Sequence, residues 1–183
     1  VPVHFEKKPV PVDPYCYGAW LADGGVDLPV IHKPAGPMAD RWCSYWRSVG
    51  ARITETDTGS CMAWFVRFDG PNPCTNFVKT SFIDGEKRIL REYLTSDDSD
   101  RAQLLAGLLD GDGSVVDSGF EISTKYTGLA EDILFLARSI GLYARCTDKV
   151  ATIKEAGFSA TYKRIYIGGD FSKIPTLAKH PSA

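Results

Sequence analysis

Leu104–Gly113 reads LLAGLLDGDG. Leu104, Leu105, Leu108 and Leu109 recur at the spacing of a helix with a buried face. Gly107 and Gly111 oppose that helix, since each costs about 1 kcal/mol against alanine in a helix interior. Asp110 and Asp112 then fall at the end where the helix dipole repels anions. A second copy explains the composition. YCYGAWLADG (15–24) aligns with it at an offset of 89 residues, setting Gly18 on Gly107, Ala22 on Gly111, Asp23 on Asp112 and Gly24 on Gly113. Two more matches follow in the same order: WRSVGARITETD (46–57) on ARSIGLYARCTD (137–148), and WFVRFDG (64–70) on RIYIGGD (164–170). Conserved order at nearly constant spacing marks an internal duplication.

Each half has the same pattern. A short helix ends in Asp-Gly, and a strand follows over 26–33 or 114–124. An amphipathic helix comes next, over 37–50 or 126–141, where Leu129, Ile133, Leu136 and Ile140 recur at helical spacing. Gly50 and Gly141 stand where a helix C-terminus is expected. Two strands follow (51–57 with 61–69; 142–149 with 159–168), then a closing helical segment (about 74–94; about 170–179). The pattern predicts an α+β pseudo-dimer in one chain, divided as a linker (1–13), an N-terminal half (14–95) and a C-terminal half (96–183).

Bulk properties bound the function. With 183 residues, 44% hydrophobic and 24% charged, the chain is large enough for a sizeable core. No apolar run reaches the roughly 18 residues of a membrane span. VPVHFEKKPVPVDP (1–14) lacks the apolar region of a signal peptide and reads as an extended linker. Cys16, Cys43, Cys61, Cys74 and Cys146 form an odd set without a CxxC pair, as expected of reduced thiols in an intracellular protein. No Cys/His zinc spacing involves His4, His32 or His180. The net charge of −2 does not suggest nucleic acid, but its distribution is uneven. Residues 95–119 hold six acids and one base, whereas residues 120–183 hold nine bases and six acids, which leaves room for a local basic face. Trp20, Trp42, Trp46 and Trp64 read as core residues.

The repeated motifs carry chemistry. Small residues at i and i+4 (Gly18 and Ala22; Gly107 and Gly111) let two backbones approach closely. Pairing the two helices at a pseudo-two-fold axis brings Asp23 and Asp112 together at two negative helix ends, a costly arrangement without a cation. Mg²⁺ suits two carboxylates completed by waters and phosphate oxygens, which points to metal-assisted phosphodiester hydrolysis. A lone Asp-Gly after a helix reads as a turn; its recurrence in both halves argues for chemistry. Asp110 faces Leu21 in the alignment and reads as a local or solvent-facing acid.

LLAGLLDGDG and YCYGAWLADG resemble the two motifs of LAGLIDADG homing endonucleases of the intein-encoded type, and TGLAEDILFLARSIGL (127–142) is similar to the block after their second motif. The resemblance covers about residues 14–180. It implies two αββαββα-type halves whose antiparallel sheets form a DNA-binding saddle. The implied activity is site-specific double-strand cleavage at a long site, with divalent metal ions and short 3′ overhangs. Asp23 and Asp112 would be catalytic metal-binding acids, with the carbonyls of Ala22 and Gly111 as further ligands. Mg²⁺ or Mn²⁺ would support cleavage, and Ca²⁺ would substitute without cleavage. A lysine precedes the second motif in many intein members within Lys-x-Ile-Pro; Lys87 in GEKRIL fits, although Leu90 replaces the proline. A second lysine is expected near the end of the chain, where KIPTLAKHPSA offers Lys173 and, preferred, Lys179. Such lysines stabilise phosphate charge or activate water. The chain starts at Val1 and ends Pro-Ser-Ala, so the expectation is an isolated endonuclease domain without the splicing module.

Strand alternation assigns the DNA contacts. Arg52 and Thr54 share a face, as do Ser123 and Lys125, and Arg145 and Thr147; Lys33, Arg67, Lys149, Lys163 and Arg164 are further candidates to hold phosphate or read bases. The expected partner is double-stranded DNA, bound by a pseudosymmetric monomer. A catalytically silent DNA-binding module, a decayed endonuclease and an RNA-binding intron maturase are the alternatives.

Overall fold

A computed structural model describes residues 1–181; residues 182–183, the last two of the predicted C-terminal half, lie outside the described residues. The element order is α1 (Pro14–Asp23), β1 (Val30–His32), α2 (Pro37–Ser48), β2 (Arg52–Asp57), β3 (Met62–Arg67), α3 (Pro73–Thr80), β4 (Phe82–Ile83), β5 (Glu86–Lys87), α4 (Arg91–Leu94), α5 (Asp98–Asp112), β6 (Ser114–Val116), β7 (Gly119–Thr124), α6 (Thr127–Ser139), β8 (Tyr143–Ile153) and β9 (Phe158–Gly168). All sheets are antiparallel. The first half carries β1-β3-β2, the second β6-β7-β9-β8, and β4-β5 forms a separate hairpin. The duplicated α+β architecture is therefore present.

Helices α1 and α5 pack together at the centre. Each starts on an aspartate N-cap: Asp13 accepts from the Cys16 N–H (3.0 Å) and Asp97 from the Asp100 N–H (2.9 Å). A methyl at Gly18 would stand 2.2 Å from the Leu104 carbonyl oxygen, and one at Gly107 would stand 2.1 Å from that of Tyr15. Only glycine permits this approach. Apolar side chains from both halves close one core around the pair, including Trp20, Trp42, Trp46, Leu105, Leu108, Phe120 and Ile165. Helices α2 and α6 cover one face of each sheet. Both end before a glycine in the left-handed region, Gly50 (φ 98°) and Gly141 (φ 92°).

Four segments depart from the sequence reading. Of 26–33, only Val30–His32 forms a strand; Pro29 weakens the remainder, and upstream of it Gly24 makes one isolated bridge to Ile31. Residues 114–124 split into the hairpin β6–β7 at Asp117, whose φ is 49°. The helical segment at 74–94 is interrupted by the β4–β5 hairpin, whose turn residues Asp84 and Gly85 both have positive φ (52° and 78°). That Asp-Gly is a hairpin signature legible in the sequence. Residues 170–179 form turns rather than a helix, because Pro175 lacks an N–H and biases Ile174 toward extended backbone.

The N-terminal 1–13 has no secondary structure but is anchored along its length. The Val3 N–H bonds the Ser139 carbonyl (2.9 Å), Val3 O accepts from Arg101 (2.6 Å), and Val12 exchanges hydrogen bonds with the Tyr93 hydroxyl (2.8 Å each). All five cysteines are free, and Cys16, Cys43 and Cys74 are buried. Among the described residues, no helix is long and apolar enough to cross a membrane.

Candidate active site at the paired helix ends

The glycines that allow α1 and α5 to touch also set the spacing of their C-terminal ends. A methyl on Gly111 would lie 2.3 Å from Ala22 Cβ and 3.0 Å from Asp23 Oδ2, so Asp23 reaches across to the opposite helix. Asp112 keeps an exposed face, but protein crowds its other sides. This partial burial, and then the Asp23 carboxylate, push its carboxyl up to about 6. Two carboxylates thus meet at two helix C-termini, as the repeat predicts.

Three lysines surround them. Lys87 is only 5% exposed. The β4–β5 hairpin delivers it to the end of α1, where Nζ donates to the carbonyls of Trp20 (3.1 Å), Leu21 (3.3 Å) and Gly24 (2.9 Å) and stacks 4.5 Å from the Trp20 ring centroid. Burial pulls its pKa down to about 8, against the pull of Asp112 and Asp23. Lys179 occupies the corresponding place on α5, with Nζ donating to Gly111 O (2.9 Å) and Gly113 O (2.7 Å). Burial, and then Lys33, lower its pKa. Lys33, predicted as a DNA contact, lies in this junction. Its Nζ is 3.1 Å from Asp23 Oδ2 and donates to Gly111 O at 3.0 Å. Lys173, the alternative to Lys179, lines a groove with Tyr15, Arg41 and Leu177 instead.

The donor set fits a divalent cation. Asp23 Oδ2 is buried without a hydrogen-bond donor, because the Lys33 contact is an ion pair whose angles fall short of a hydrogen bond. Among the described residues no group of three or more His, Cys, Asp or Glu converges. A cation here would have two protein carboxylates and would complete its shell with carbonyl, water and phosphate oxygens, the habit of Mg²⁺. The two expected carbonyl ligands differ. The Ala22 carbonyl is not among those that accept from Lys87, whereas Gly111 O already accepts from Lys33 and Lys179.

Asp110 contradicts its reading as a local or solvent-facing acid. It is completely buried and bonds Tyr15 and the backbone of Leu177–Lys179. These partners lie far away in sequence, so local pattern carried no signal for them.

The sheet faces turned away from α2 and α6 mix charged and hydroxyl side chains with aromatic ones, Phe65 in the first half and Tyr162 and Tyr166 in the second. Register places Arg52 beside Arg67 and Thr54 beside Phe65 in the first half. In the second it places Ser123 and Thr147 beside Arg164, Arg145 beside Tyr166, and Lys149 beside Tyr162. Lys125 lies just past the end of β7, where its ammonium stands 5.1 Å from the Tyr126 ring centroid. Arg52 pairs with Asp69 at 2.6 Å. Lys163 falls on the other face, where it pairs with Asp148 at 2.6 Å and lines a groove against α6. Adjacent strand residues point oppositely, so Lys163 and Arg164 cannot share the open face.

Comparison with known proteins agrees with this architecture. Residues 90–174 match the family model "Homing endonuclease". The fold is similar to the crystal structure of I-DmoI in complex with DNA and Mn, at a TM-score of 0.60 and 13% identity over 86% of this chain and 89% of that one. A structure of I-DmoI in complex with DNA and Ca gives a TM-score of 0.59 and 13% identity over 86% and 83%. The replicative DNA helicase DnaB of Mycobacterium intracellulare is 29% identical over 153 residues, 82% of this chain; the chain spans 23% of that relative's length. The family match falls on the second motif and its following block, and the fold shared with I-DmoI repeats the same helix-and-sheet unit in the first half, so this chain is similar to homing endonucleases in the sequence of its second half and in the fold of both.

Proposed function

We propose that the chain is a site-specific double-strand DNA endonuclease that hydrolyses phosphodiesters with divalent metal ions and leaves short 3′ overhangs. The observation that carries this reading is the convergence of Asp23 and Asp112 at two helix ends, flanked by Lys87 and Lys179. A bound Mg²⁺ or Mn²⁺ supplies Lewis acidity and an activated water. Asp23 and Asp112 hold that cation, one carboxylate from each half. Lys87 and Lys179 place positive charge beside the two helix ends, where phosphate charge builds as a strand is cut. The open sheet faces, with Arg52, Arg67, Arg145, Lys149 and Arg164, hold the duplex, and Ser123, Thr54 and Thr147 supply neutral donors.

The chain acts as an intracellular monomer built of halves 14–95 and 96–183, with 1–13 as connector. Its match to a limited part of a DnaB helicase supports an endonuclease domain of intein type carried within a longer host protein. Selection from a randomised duplex library with Mg²⁺ tests the activity. The selected site is cut by the wild type and is bound but not cut by Asp23→Asn or Asp112→Asn. Undiminished cutting by both variants would overturn the assignment.

A further inference from the structure

Asp110 is a carboxylate with zero exposure, and the four groups that donate to it are all neutral. Its Oδ2 accepts from the Tyr15 hydroxyl (2.7 Å) and the Leu177 N–H (2.6 Å); its Oδ1 accepts from the Ala178 and Lys179 N–H groups (3.0 Å each). Three successive amides turned onto one carboxylate form an anion nest. The segment that supplies them lacks regular structure; its last buried apolar residue is Ile174, and Leu177 and Ala178 are exposed, so apolar burial does not reach residues 177–178. The next residue is Lys179, whose ammonium bonds the carbonyls of Gly111 and Gly113 one and three residues beyond Asp110.

The first half shows why this tether exists in one copy. Lys87 is carried by a hairpin, paired with Phe82 and stacked on Trp20. It is fixed without help, and Leu21 stands where the second motif has Asp110. We propose that Asp110 is a positioning residue: it locks the Leu177–Lys179 backbone onto α5, so that the Lys179 ammonium faces the phosphodiester site. The proposal rests on the endonuclease reading for its catalytic consequence, but not for the tether itself.

Two measurements test it. Amide hydrogen exchange of Leu177–Lys179 in EDTA is slow in the wild type and at least about tenfold faster in Asp110→Asn, since opening of that segment then lacks its anchor. Single-turnover cleavage falls in Lys179→Met and in Asp110→Asn with DNA affinity unchanged within twofold, and the double variant is no slower than Lys179→Met alone. Unchanged exchange at 177–179, or losses that multiply in the double variant, would overturn the proposal. If Asp110→Asn does not fold, Tyr15→Phe removes one of the four donors and accelerates the same amides by a smaller factor; no acceleration there counts against the tether. If the wild type cuts no DNA, the endonuclease reading fails while the exchange measurement still decides the tether.

Discussion

Lys33 Nζ and Asp23 Oδ2 stand 3.1 Å apart, and the same ammonium donates to Gly111 O on the opposite helix at 3.0 Å. A lysine thus bridges one acid and one of the carbonyls that the family resemblance assigns to metal. It supplies the positive charge that two carboxylates at two helix ends require. Divalent cations therefore compete with it. Lys33→Met is expected to bind Ca²⁺ roughly tenfold more tightly, because an opposing charge at this distance is removed, and to melt lower in EDTA. Calorimetric titration and thermal denaturation measure the two effects. Weaker Ca²⁺ binding in the variant would mean that Lys33 supports the metal instead.

Asp112 predicts a pH dependence. Its carboxyl is pushed up from an ordinary 3.8 to about 6 by partial burial and by Asp23. The folded protein therefore binds more protons than the unfolded chain between these values, and stability in EDTA falls as pH rises through that window. Asp112→Asn should flatten this fall and raise the melting temperature at pH 7. Divalent affinity in the wild type should also drop below pH 6, because a protonated carboxyl is a poor ligand. Urea denaturation at stepped pH, with and without Ca²⁺, reads both.

Gly107 predicts a stability loss that helix propensity alone would get wrong. Alanine is favoured over glycine in a helix by about 1 kcal/mol, yet a methyl at Gly107 would meet the Tyr15 carbonyl oxygen at 2.1 Å and the Ala19 nitrogen at 2.8 Å. Backbone atoms cannot yield as a side chain does, so Gly107→Ala should cost about 3 kcal/mol. Gly18→Ala should cost a similar amount, as its methyl would meet Leu104 O and Leu108 N. Chemical denaturation checks the magnitude; a stabilising effect in either variant would mean that the helices pack less closely.

The sheet register predicts a contrast between neighbours. Arg164→Ala removes an open-face charge and should weaken DNA binding while reducing the slope of log affinity against log salt by about 1. Lys163→Ala removes a charge paired with Asp148 on the helix side, and should leave affinity and slope nearly unchanged. Equal effects from the two would sink the assignment of the binding face.

Much of this was legible before folding. Gly18, Ala22, Gly107 and Gly111 share helix faces, so their pairing followed from periodicity and duplication, and with it the meeting of Asp23 and Asp112. Lys87 was located through the family resemblance, which expects a lysine shortly before the second motif, although its burial depends on the Asp84-Gly85 hairpin, whose turn signature was not used. The helix assigned to 170–179 failed because Pro175 breaks the pattern it rested on.

The duplication, the helix pair and the two acids rest on residue spacing repeated within one chain, and so they can be read before folding. Tertiary structure alone decided which charges meet at those acids. Lys33 reaches a carbonyl 78 residues away and Asp110 an amide 69 residues away. No local period encodes such contacts; they arise only when hydrogen-bonding groups buried by the helix pair must find their partners in the rest of the fold.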